Sequence, residues 1–85
     1  MNHRKLVIIM YENEKEIRFS DAEDIKEFVK AAGKCDFDID VFYKRAVIDA
    51  KSILGMLGIG QNEVVVRYAG NNENFENVVD KFALA

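Results

Sequence analysis

At 85 residues the chain is one domain, and a domain of this size buries only roughly 60% of the surface its unfolded chain exposes. Apolar residues make up 49% of it and proline is absent, which fits a compact globule and excludes a disordered tail. The formal net charge of −3, with no Lys/Arg cluster beyond the pairs Arg4-Lys5 and Lys44-Arg45, excludes nucleic acid and anionic membranes as partners.

In chain order, Leu6-Val7-Ile8-Ile9-Met10-Tyr11 is short, apolar and rich in β-branched residues, so it predicts a buried strand. At six residues it is too short for a signal peptide or a membrane span, which makes the cytoplasm the expected location. Glu12 to Glu16 reads as a loop. Ser20-Asp21-Ala22-Glu23 matches a capping box: the Ser20 hydroxyl can accept from the amide three residues on, and Glu23 can reach back. Ile25, Phe28, Val29 and Ala32 then recur at helical spacing, with Gly33 placed to end the helix.

Cys35-Asp36-Phe37-Asp38-Ile39-Asp40-Val41 alternates strictly and predicts a strand with its Cys/Phe/Ile/Val face buried. A tight connection, Phe42 to Arg45, leads to a strand near Ala46 to Ala50. It lacks the Asn-Gly chemistry that two-residue hairpins favour. Ser52 can cap a short helix to about Leu57, broken by Gly58 and Gly60. Val64 to Ala69 is the fourth strand. Asn71 or Asn72 caps a last helix with the stripe Phe75, Val78, Val79 and Phe82. The order β-α-β-β-α-β-α implies an α+β, two-layer open-faced sandwich: a four-stranded antiparallel sheet covered on one face by three helices.

Few residues offer chemistry. Asp36, Asp38 and Asp40 have the spacing that opens a calcium loop, but Val41 and Val47 stand where that loop needs Gly and Glu. The lone His3, without a second imidazole, a Cys pair or a serine elbow, gives no metal or triad site. Cys35, the one cysteine, falls in an apolar register and reads as a buried, inert thiol. Asp21, Glu23 and Asp24 complement a helix dipole, typically by ~0.3–1 kcal/mol per group. Ser52 to Gln61 is the exception. It carries no charge, and Ile53, Leu54, Met56 and Leu57 cannot all face inward from two helical turns, so part of the segment is expected to form an exposed docking surface.

The stretch Asp49-Ala50-Lys51-Ser52-Ile53-Leu54-Gly55-Met56 resembles the regulatory-serine segment of HPr, the small phosphocarrier of the bacterial sugar phosphotransferase system. Phe28-Val29-Lys30-Ala31-Ala32 resembles the end of that family's first helix. The resemblance implies the HPr fold over nearly the whole chain and a protein that is not itself an enzyme and needs no cofactor. In the same register the family's phosphate-accepting histidine falls on Asp21, its arginine on Glu23 and its proline on Asp24. The carrier reaction needs a neutral imidazole nitrogen and positive charge to receive the phosphoryl oxygens. Carboxylates supply neither. The family's hairpin glycine becomes Arg45, and the interval from Ser52 to Gly70 is about three residues shorter, close to one turn of helix.

Crh-type proteins of Gram-positive bacteria also lack the carrier histidine, keep the regulatory serine and act in carbon catabolite repression. The resemblance to them implies regulation by phosphorylation at Ser52, docking through Ile53, Leu54 and Leu57, and protein partners: an HPr kinase/phosphatase-like enzyme, then a transcriptional regulator or metabolic enzyme. Two alternatives stand beside this. One is a divergent phosphocarrier that uses Asp21 as an acyl-phosphate acceptor; the other is an interaction module outside the sugar system. A homo-oligomer formed by strand exchange is also open to so small a sheet protein.

Overall fold

The computed structural model describes residues 12–84, so the expected strand Leu6–Tyr11 and the His3 position lie outside the described residues. The elements are β1 (Asn13–Arg18), α1 (Ala22–Gly33), β2 (Ile39–Tyr43), β3 (Ala46–Asp49), α2 (Ile53–Ile59), β4 (Glu63–Tyr68) and α3 (Glu73–Phe82). The strands form one antiparallel sheet in the order β1-β4-β2-β3. Strand and helix order match the open-faced α+β sandwich implied by the sequence.

β1 occupies the stretch read as a loop. Its charges hid it: Glu14, Glu16 and Arg18 are exposed while Ile17 is fully buried. Glu14 and Arg18 cross to β4, where Arg67 Nε lies 3.1 Å from Glu14 and Arg18 pairs with Glu63. A charged strand of this kind suits a sheet edge. The segment after α3 protects that edge further, because Ile17 bridges Ala83 and the Leu84 amide donates to the Glu16 carbonyl at 3.0 Å.

The strand expected from Cys35 begins only at Ile39. Alternation does continue through the preceding loop, with Cys35 buried and Phe37 half-buried, but there the side chains pack without a ladder. Phe37 stacks on Tyr68 at 6.0 Å between ring centroids and leans on Gly70, where a Cβ would lie 2.4 Å from the ring. The expected Phe42–Arg45 connection is shorter, since β2 pairs with β3 through Tyr43↔Ala46. Lys44 and Arg45 alone make the turn, and Lys44 takes a left-handed φ of 53° in the absence of a glycine.

The core lies between the sheet and the helices. Ile17, Ile39, Val41, Val64, Val66 and Tyr68 face it from the strands; Ile25, Phe28, Met56, Phe75 and Val79 face it from the helices. Aromatic rings run through it in a chain, Phe82–Phe19–Phe28–Phe75–Tyr68, with successive centroids 5.1–5.6 Å apart. Tilted and edge-on pairs at such distances add to what burial alone supplies. The phenol of Tyr68 donates to Glu76 on α3, which leaves no buried polar side-chain atom unpaired among the described residues. Burial and this acceptor carboxylate both push the phenol well above its ordinary value.

Candidate functional site

The residues singled out in the sequence fall at two places in the fold: the start of α1 and the exposed side of α2. At the first, the N-cap is Asp21 rather than Ser20. Its extended backbone aims Oδ1 at the Asp24 amide, 3.0 Å away, while Asp24 Oδ2 accepts from the Ser20 amide at 2.9 Å. The cap expected of the Ser20 hydroxyl has moved one residue along to Asp21, while the Ser20 amide keeps a carboxylate partner, Asp24 in place of Glu23. A carboxylate accepts from backbone amides more strongly than a hydroxyl does, so Asp21 takes the cap. Glu23 pairs instead with Lys26 at 3.2 Å. At the other end, α1 runs through Gly33 and Lys34 caps it.

At the second place the cap expected of Ser52 is present. Its Oγ accepts from the Gly55 amide at 3.2 Å, and Ser52 is exposed. α2 runs to Ile59, past the expected stop at Gly58, and ends at Gly60, where φ is 71°. Gly55 lets the helix approach the sheet closely, because a Cβ there would lie 2.9 Å from Cγ2 of Ile48 on β3. Met56 and Ile59 reach the core from this anchored side. Leu54 is 82% exposed, and Ile53 and Leu57 are 38% exposed each. Two turns of helix cannot bury every apolar side chain they carry, and these three remain outside.

Ser52 caps the start of α2, whereas Asp21 caps α1, which begins near the end of α2. A link that the sequence reading missed joins the two helices there, with Gln61 Nε2 donating to the Ser20 carbonyl at 2.7 Å. No pattern in the sequence announces a lone Gln reaching over 41 positions. Lys51, next to Ser52, turns away and donates to the Cys35 carbonyl at 2.9 Å. Cys35 is buried, its Sγ donates to the Ala31 carbonyl at 3.6 Å, and burial pushes the thiol up, so less of it is in the reactive thiolate form. Of the three spaced aspartates, only Asp40 lies on a strand; Asp36 and Asp38 precede it in the loop. No helix among the described residues is long and apolar enough to cross a membrane.

No protein-family model matches the chain, and no curated protein matches it. Among solved structures it is similar to the crystal structure of HPr-C-His from Thermoanaerobacter tengcongensis. The two are 24% identical with a TM-score of 0.65, over 81% of this chain and 88% of that one. At that identity the likeness establishes architecture, and with the same strand and helix order already described, the fold of this chain is HPr-like.

Proposed function

We propose that the chain is an HPr-like regulatory or binding module without the carrier histidine, working in the phosphotransferase system or in carbon catabolite control of a bacterial cytoplasm. Ser52 is the residue that is modified, and Ile53, Leu54 and Leu57 form the surface that partners recognise. The observation that carries this reading is the exposure of Leu54 two residues beyond an exposed serine hydroxyl, on a helix whose other side is fixed to the core. Phosphorylation would move the phosphoryl group of ATP to Ser52 Oγ, releasing ADP and the hydroxyl proton. An added phosphate beside exposed apolar side chains changes what the surface can bind without disturbing the core.

Asp21 does not act as a carrier. Its carboxylate serves as the helix cap, Glu23 and Asp24 follow it, and the nearest cation along the chain, Arg18, is paired with Glu63. Aspartyl-phosphate chemistry needs a cation to neutralise the incoming phosphate.

A bacterial HPr kinase with ATP is expected to label the wild-type chain on one serine and to leave Ser52→Ala unlabelled. The alanine removes a cap and should cost ~0.5–2 kcal/mol, so circular dichroism must first show the variant folded. Label retained by folded Ser52→Ala would place the modification elsewhere.

A further inference from the structure

Resting on the docking role proposed for α2, we infer that its partner presents apolar side chains flanked by lysine or arginine. The helix that carries these apolar side chains ends against the start of α1, whose first turn is acidic. From Ser52 to Asn62 the chain carries no charged side chain, so α2 itself has no preference of sign. Leu57 lies in the last turn of α2, and Gln61 follows two residues after the helix ends. Gln61 bonds the Ser20 carbonyl at 2.7 Å, so the C-terminal end of α2 meets the start of α1.

Between Ser20 and Lys26, the three acids Asp21, Glu23 and Asp24 face the single ammonium of Lys26, leaving a local charge of −2. Asp21 and Asp24 accept from backbone amides, which orients their carboxylates without neutralising them. The next charges along this border, Arg18 and Glu63, neutralise each other. The Ser52 end adds nothing to the balance, because Asp49 and Lys51 are of opposite sign and Lys51 is turned toward the Cys35 carbonyl. An acidic partner seated on Leu54 and Leu57 would meet like charge at one border, whereas a basic one would meet its complement.

Two designed amphipathic helical peptides test this. They share one apolar face; lysine and arginine flank it in one, glutamate in the other. Each is titrated into the full chain and followed by amide chemical shifts. The basic peptide should bind about fivefold tighter or better at low ionic strength, with the ratio shrinking as salt rises. The largest shifts should fall on residues 53–57 and 21–24. Asp21→Asn with Glu23→Gln, which keeps a capping side chain, should erase most of the ratio. Equal binding of both peptides at α2 would overturn the charge proposal and leave the docking face standing. Binding of neither at α2, or shifts elsewhere only, would overturn the docking face and this proposal with it.

Discussion

Phe75→Ala is expected to cost ~3–5 kcal/mol and to leave the domain at the edge of unfolding. Phe75 is fully buried on α3 and touches two other rings, Tyr68 at 5.1 Å and Phe28 at 5.6 Å. Its loss opens a cavity where the sheet, α1 and α3 meet, and rings on three elements limit collapse into it. Total stability for a domain of this size is about 5–10 kcal/mol, so one side chain removes a large share. At ~4–8 °C per kcal/mol, the melting temperature should fall by at least about 12 °C. A thermal melt by far-UV circular dichroism reads this directly. Val47→Ala, at an exposed position on β3, is the control and should change stability by under about 0.5 kcal/mol. A Phe75→Ala melt within about 2 °C of wild type would contradict the described core.

Leu54→Asp should show the opposite pattern, an almost unchanged melt and a loss of partner binding. The side chain is 82% exposed, so its replacement leaves no cavity and buries no charge in the free protein. The cost is confined to helix propensity, under about 0.7 kcal/mol. In a complex, the same carboxylate would have to leave water for an apolar pocket and the leucine's own contact would be gone. Loss of a central contact of this kind typically costs ~2 kcal/mol or more, about a thirtyfold drop in affinity. Partners retained from host lysate by immobilised wild-type protein, quantified beside those retained by Leu54→Asp, give the comparison. Equal retention by a folded variant would remove Leu54 from the docking surface.

The three helices were legible because each carries its own local code. Ser52 and Asn72 cap where side-chain chemistry says they should, with Oδ1 of Asn72 accepting from the Phe75 amide at 2.9 Å. The stripe Phe75, Val78, Val79 and Phe82 is buried throughout. β1 was not legible, because an edge strand stabilised by Glu14–Arg67 and Arg18–Glu63 has the composition of a loop. Only its pairing with β4, some fifty residues away, reveals it. The start of β2 misled for the opposite reason: alternation reports which side chains are buried, and Cys35 and Phe37 pack inward without belonging to a ladder.

At the candidate site, the exposure of Leu54 followed from counting apolar side chains against two turns of helix. Which of them would turn inward depended on Gly55, whose missing Cβ lets Ile48 approach and so directs Met56 to the core. The acidic start of α1 was visible as composition. Its nearness to α2 was not, since the bond that marks it, from Gln61 to the Ser20 carbonyl, spans 41 positions.

The most direct test of a module that binds without carrying phosphate is transfer from phosphoenolpyruvate. The full chain is incubated with phosphoenolpyruvate and the first enzyme of a bacterial sugar phosphotransferase system, and its intact mass is followed with a histidine-bearing HPr as positive control. With Asp21 capping α1 beside Glu23 and Asp24, the control should gain one phosphate and this chain none. A stoichiometric, hydroxylamine-labile phosphate on Asp21 would contradict the proposal and make the chain a carrier.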